Sequence, residues 1–191
     1  MPRTVRTLEV APLSYTVPGM SSAAAKAVIG VLQDRLNALN DLALTLKHIH
    51  WNVVGPHFIA VHTMLDPQVD AVRLMVDATA ERIATLGGSP KGTPGALVAQ
   101  RSWDDYDLGR ADALDHMGAL DVAYGGILEA HRAAIEATEK SDPVTQDMLI
   151  EQAGQLEQFH WFVRAHLEDS SGRLSTRGAK TEKQGARRAR R

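Results

Sequence analysis

Apolar side chains recur at steps of three and four through four long stretches of this chain. In the first, Leu32, Leu36, Leu39, Ala43, Leu46 and His50 follow a helical line, with Leu42 and Ile49 adding a second apolar line beside it. Ser21 or Ser22 is a suitable N-cap, and the pattern predicts a helix from there to about Val53. Gly55-Pro56 breaks it. Phe58, Val61, Leu65, Val69, Val72, Val76, Ala80 and Ile83 then predict a second helix to about Leu86, with Pro67 either bending it or separating its first turns. Gly87-Gly88-Ser89-Pro90 ends that stretch. A connection over 87–109 follows, with Ala96–Arg101 as a short helix inside it. The third helix is expected from about Arg110 to Lys140. Asp142 is then placed as N-cap and Pro143 at the first position of a fourth helix reaching about Ser170.

The order of connections is short, long, short. Two antiparallel helix pairs joined by one long crossover make the ferritin-like variant of the four-helix bundle. The expected organisation is a flexible N-terminal tail over 1–20, an all-α bundle over 21–172 and a basic, disordered tail over 173–191.

Composition narrows the chemistry. Apolar residues make up 44% of the chain and aromatic residues only 5%, a balance that favours helices. Cysteine is absent, so any metal must be held by histidine and carboxylate, which suits iron, manganese or zinc. No run of 18 apolar residues offers a membrane span. Arg3 and Arg6 are not followed by an apolar stretch of signal-peptide type, so the expected compartment is the cytoplasm. The net charge of −2 conceals two unlike parts. Residues 173–191 carry eight basic side chains against Glu182, a net +7, while the remaining 172 residues carry 13 basic and 22 acidic ones, a net −9.

The second helix carries the candidate chemistry. With Asp66 set at zero on a wheel of about 100° per residue, His62 falls near about −40°, Asp77 about +20° and Glu81 about +60°. Four metal-type ligands thus share one face, although an ordinary solvated acidic face is an equally open reading at this point. Asp66 and Asp77 lie about 16 Å apart along the axis, too far for one ion to touch both. A single chain therefore cannot close the cluster. A two-fold-related copy running antiparallel could set His62 and Asp66 of one chain beside Asp77 and Glu81 of the other, giving two identical sites. His50, at the same end of the hairpin as His62, can join them.

His50-Trp51-Asn52, Gly55, Phe58, Val61-His62, Met64-Leu65-Asp66, Asp77 and Ala80-Glu81-Arg82 together resemble the signature of the Dps family, the small dodecameric ferritins that protect DNA. The likeness covers about residues 20–172, continues in Trp103-Asp104-Asp105-Tyr106 and Phe159-His160-Trp161-Phe162, and is nearest in look to actinobacterial members. The resemblance implies a stress-response ferroxidase: an intersubunit, di-iron-type site of His50, His62 and Asp66 with Asp77 and Glu81 from the neighbour. Hydrogen peroxide is its preferred oxidant over dioxygen, and a ferric mineral is stored inside a homododecamer built from two-fold dimers. Trp51 is implied to quench stray oxidising equivalents, an interface role being an equally good reading. Asp147 matches an iron-entry pore acid of the family, and Asp142 and Glu151 are candidates beside it. Glu157 and His160 have the Glu-x-x-His spacing of an intrasubunit di-iron site, but no second copy exists, so His160 is read as structural. His48, His57, His116, His131 and His166 have no clear carboxylate partner at metal spacing.

The tail suggests a second activity. Arg173, Arg177, Lys180, Lys183, Arg187, Arg188, Arg190 and Arg191 form a cationic segment suited to non-specific phosphate contact, multiplied by the copies in a shell. DNA-binding tails of this kind occur in the resembled family, and the protein is expected to be nucleoid-associated. The competing readings are an architectural nucleoid protein with weak or no ferroxidase activity, and a helical oligomer without metal.

Overall fold

A computed structural model describes residues 12–190. Its helices are α1 (Ser22–Asn52), α2 (Phe58–Thr85), α3 (Pro94–Gln100), α4 (Ala113–Thr138), α5 (Pro143–Ala165) and α6 (Glu182–Ala189). Two short strands, β1 (Val53–Val54) and β2 (Ala111–Asp112), pair in parallel, Val53 opposite Ala111 and Val54 opposite Asp112. The four long helices and the short crossover helix fall where the periodicity puts them. α2 continues through Pro67 without a break. The proline removes one backbone donor, and the apolar face on either side of it holds the helix together.

Chain contacts divide into two units, and each long helix contributes to both. The first contains the chain through Ala43, Ala71–Asp104 and His131–Glu151. Its core is Val28, Ile29, Leu32 and Leu36 of α1 with Ile83, Leu86, Ala134 and Leu149. Each buried Val, Leu or Ile side chain here contributes about 1.5–3 kcal/mol. Leu13, Val17 and Met20 pack onto this core. Residues 12–20 are therefore anchored, contrary to the flexible N-terminal tail expected over 1–20, of which residues 1–11 lie outside the described residues. Gly87, at φ +88°, turns the chain at a point where a Cβ would overlap the carbonyl of Tyr15.

The crossover is fastened to α1 by polar side chains. Gln33 donates to the Lys91 carbonyl at 3.0 Å and accepts from the Lys91 amide at 2.8 Å. Asn37 donates to Gln100 at 3.1 Å. Asp41 receives Arg101 at 3.1 Å and the Trp103 indole N–H at 2.8 Å. These bonds satisfy groups that an unstructured loop would leave to water.

The second unit contains Leu44–Asp70, Asp105–Ala130 and Gln152–Arg191. Leu46, Ile49, Val61, Leu65, Met117, Leu120, Tyr124, Leu156 and Val163 are buried in it. The buried Tyr124 hydroxyl donates to Gln68 at 2.7 Å. The largest departure from expectation lies here. Residues 173–190 are ordered and docked, where a disordered tail is expected. Glu168 and Leu174 form an antiparallel bridge, the Thr176 hydroxyl donates to Asp121 at 2.6 Å, and α6 buries Gly185, Ala186 and Ala189. The physical reason is small-residue packing: the faces of α6 and α4 meet at Gly185 and Gly118, each so close that a Cβ on either would overlap the other's carbonyl.

Candidate metal centre

The hairpin from α1 to α2 makes the site. α1 ends at Asn52, and Gly55, at φ +97°, reverses the chain where a Cβ would collide with the Asp112 carboxylate. This turn brings the end of α1 against the start of α2. The His50 and His62 rings stack with centroids 3.6 Å apart and planes 24° from parallel. Each Nδ1 lies 2.9 Å from the main-chain carbonyl of the other histidine. A carbonyl can only accept, so both Nδ1 atoms carry the proton and donate. In the neutral imidazole this leaves the lone pair on Nε2, the tautomer that binds a metal. The sequence pattern places the two histidines near each other; the reciprocal bonds that select their tautomer emerge only from the fold.

Asp66 lies one turn after His62 on α2. Its Oδ1 is 3.3 Å from His50 Nδ1 and 2.6 Å from Lys47 Nζ. The hydrogen bond from Lys47 holds this carboxyl below the usual carboxylate range, against the opposing effect of desolvation. Lys47 was not among the residues singled out from sequence. Its signal was available: it precedes His50 by three residues and so shares that face of α1. Asp77 and Glu81 lie farther along α2 with exposed side chains. Trp51 is 72% exposed. Among the described residues of one chain, no group of three or more histidine and carboxylate side chains can hold a metal ion. The structure thus brings His50, His62 and Asp66 together and leaves Asp77 and Glu81 apart from them.

The remaining candidates separate clearly. His160 Nε2 is 2.7 Å from Asp121 Oδ1. That carboxylate also receives Arg164 at 2.9 Å and Thr176 at 2.6 Å, and these partners hold it down at about 2 in spite of its burial. His160 is tied into a structural knot, and the sequence gives no hint of its partner 39 residues away. The His48 Nε2 donates to the Leu108 carbonyl at 2.7 Å, and His116 Nδ1 meets the Tyr106 hydroxyl at 2.9 Å. Desolvation lowers the pKa of the buried His116.

Asp142 requires a correction. As a pore acid it should face water, but it is only 3% exposed and is held by Arg82 through two bonds of 2.9 and 2.8 Å. It also accepts from the Thr145 hydroxyl and backbone amide. Its lone pairs are taken by a helix cap and a buried ion pair, so it has nothing to offer a passing cation. Asp147 and Glu151 are exposed on α5. In the tail, Arg173, Arg177, Lys180, Lys183, Arg187 and Arg190 are exposed and Arg188 is half-buried; Arg191 lies outside the described residues.

Comparison with known proteins identifies the family. A model of the ferritin-like domain matches residues 29–172. The DNA protection during starvation protein of Mycolicibacterium smegmatis is 56% identical over 178 residues, spanning 93% of this chain and 97% of that protein. The solved structure described as DpsA14 from Streptomyces coelicolor superposes with a TM-score of 0.87 at 64% identity, covering 88% of this chain and 100% of that one. The fine tangled pili major subunit of Haemophilus ducreyi is also similar, 50% identical over 160 residues, 84% of this chain and 85% of that protein. This chain belongs to the Dps family.

Its fold is accordingly the all-α ferritin-like four-helix bundle of that family, with α3 as the short crossover helix. The likeness to actinobacterial Dps expected from the motifs is borne out. Imidazole nitrogen and carboxylate oxygen are donor types that suit iron, the carboxylate charge favouring the higher oxidation state. No helix of the described residues is long and apolar enough to cross a membrane.

Proposed function

We propose that this Dps-family protein oxidises ferrous iron at a di-iron-type site shared by two subunits, stores the ferric product as mineral inside a closed shell, and thereby protects DNA. The observation that carries this reading is the pair His50 and His62, each with Nδ1 held by the other's backbone carbonyl and Nε2 open, beside Asp66. On this reading one chain supplies half a site. Asp77 and Glu81 of a two-fold-related copy supply the other half, in keeping with the exposed positions of both side chains. Twelve subunits is the assembly carried over from the resemblance.

The roles follow from ligand chemistry. Ferrous iron is the substrate. His50 and His62 bind it through neutral nitrogen, and Asp66, Asp77 and Glu81 compensate the charge that grows on oxidation. Two ferrous ions give up one electron each, and one hydrogen peroxide accepts both as its O–O bond breaks and takes up two protons to form two waters. Pairing the electrons in this way avoids releasing hydroxyl radical. Dioxygen is the slower oxidant. Trp51, exposed beside His50, is placed to intercept stray oxidising equivalents. Asp147 and Glu151 offer exposed carboxylates for iron entry. The basic tail binds DNA through phosphate, without base contacts, in a cytoplasmic, nucleoid-associated particle.

Anaerobic loading with Fe(II) followed by peroxide tests the oxidation. The expected stoichiometry is two iron ions oxidised per peroxide, lost in His50→Ala and Asp66→Ala while native mass spectrometry shows the assembly intact. Oxidation no faster than in buffer would sink the reading. For the tail, deleting residues 173–191 should abolish DNA retardation at low salt.

A further inference from the structure

We propose that residues 173–190 form a self-docking latch that restrains the protein's own DNA handle. The inference rests on the reading that this tail is the DNA-binding segment. What it adds is a docked, low-affinity state and a released, high-affinity one.

The docked state is built by specific contacts. α6 is a well-formed helix in its own right: Thr181 caps it by accepting from the Gln184 amide at 3.3 Å, Gln184 reaches back to the Lys180 amide at 2.9 Å, Glu182 lies in its first turn and Arg187 and Arg188 in its last. Its small face, Gly185, Ala186 and Ala189, is buried, and Gly185 meets Gly118 of α4 backbone to backbone. Around that crossing, cations of the tail are engaged by carboxylates of the body. Lys183 pairs with Asp107 and Arg190 with Asp115, whose side chain is only 3% exposed beneath it. Arg173 pairs with Asp169 within the turn that leads into the tail. Thr176 is fastened to Asp121, and the Arg188 guanidinium donates to the Arg177 carbonyl.

Two consequences follow for a polyanion. Cations already paired with Asp107 and Asp115 cannot neutralise phosphate without leaving those partners. A helix held flat on an acidic body also cannot follow a phosphate backbone. Binding therefore proceeds from the released state, and the apparent affinity is reduced by the fraction of tails released. The Lys183–Asp107 pair is exposed on both sides and is screened by salt, the Arg190–Asp115 pair less so because Asp115 is buried. Rising salt weakens the latch while it weakens phosphate binding, so the wild-type protein shows a shallower salt dependence than a permanently released tail.

The test uses the assembled full-length protein and duplex DNA. Gly185→Leu cannot dock, because even a Cβ at this position overlaps the Gly118 carbonyl. A second variant, Asp107→Asn with Asp115→Asn, removes the ion pairs and leaves the crossing alone. Limited trypsin digestion and amide exchange of α6 report docking. Gly185→Leu should be cut in its tail faster than wild type and bind DNA about tenfold tighter. Its log–log salt slope should be steeper by about one to two units, one for each freed cation. The double variant should move the same way by less. Unchanged or weaker DNA binding in a demonstrably released Gly185→Leu tail overturns the latch, as does a wild-type tail that is cut as fast as the variant's. If deletion of 173–191 leaves retardation intact, the tail reading itself has failed and the latch falls with it.

Discussion

His160 with Asp121 and His50 with Asp66 are both histidine–carboxylate pairs, and both belong to the second unit. The first pair meets at 2.7 Å, and its carboxylate is completed by Arg164 and Thr176. The second is looser at 3.3 Å, its aspartate half open to solvent and shared with one lysine. His50 has its Nδ1 occupied and its Nε2 lone pair free, because a carbonyl rather than a carboxylate orients it. The same two residue types thus make a closed structural joint in one place and an open pair in the other. What distinguishes them is the coordination left over after the protein has satisfied itself. Metal-like spacing alone, as in Glu157 and His160, does not reveal that.

The strongest way to break this contrast is to remove each histidine in turn. His50→Ala should lower peroxide-dependent iron oxidation by at least about tenfold, and up to about a hundredfold, in a particle of unchanged size. His160→Ala should leave the rate per assembled particle within about twofold. An equal loss in both would show that the two pairs are not of different kinds.

The complementary change removes the closed pair's carboxylate. Asp121→Ala leaves His160 and Thr176 without their shared acceptor, and disrupting a buried network of this type costs about 3 kcal/mol. The expected result is a clearly lower melting temperature at fixed protein concentration, with iron oxidation below the melt unaffected. A melting curve that overlays wild type would remove the structural role assigned to the knot.

Acid should sharpen the same point. Asp121 is held at about 2 in the folded state, below its ordinary value near 3.9. A depressed carboxyl contributes stability that is fully present above the unfolded value and is lost as pH falls through the folded one. The window is therefore about pH 4 down to about pH 2, and the size about 2 kcal/mol. Measured against Asp121→Asn, whose amide does not titrate, the wild-type advantage seen at pH 5 should shrink by that amount at pH 2. A constant difference across the range would place the stabilisation elsewhere.

These pairs also mark where the chain was legible and where it was not. The long helices could be read because their apolar lines repeat at helical spacing along most of their length. The shared face of His62, Asp66, Asp77 and Glu81 on α2 could be proposed from sequence because positions on one helical wheel do not depend on tertiary detail. The partner of His160 was hidden because a contact 39 residues away leaves no local trace. Asp142 carries two readings from sequence, N-cap and pore acid; the fold keeps the cap, and Arg82, distant in sequence, closes on the carboxylate and removes the other. The tail was read as disordered from its charge. Its binding face is made of Gly185, Ala186 and Ala189, which carry almost no hydrophobic signal, and Gly185 meets Gly118 and Val122 of α4.

The smallest effect is expected at Lys47. Its ammonium lies 2.6 Å from Asp66, a shorter contact than any bond in the Asp121 knot except the Thr176 hydroxyl's equal one. Distance alone would rank it among the strongest interactions in the molecule. Exposure reverses that ranking. The Asp66 side chain is 48% exposed and that of Lys47 25%, so water competes for both charges and salt screens them. A long lysine side chain also loses rotamer freedom when it is held in place. Lys47→Met keeps the apolar stem against α1 and removes only the charge, and it should shift stability by less than about 1 kcal/mol. Chemical denaturation at low and at 0.5 M salt would measure it: a cost near that of Asp121→Ala, independent of salt, would mean that Asp66 is as closed as Asp121. A small, screened cost is what the proposed ligand role of Asp66 requires, because a carboxylate proposed to bind iron has to be held in place without being strongly bound to its partner.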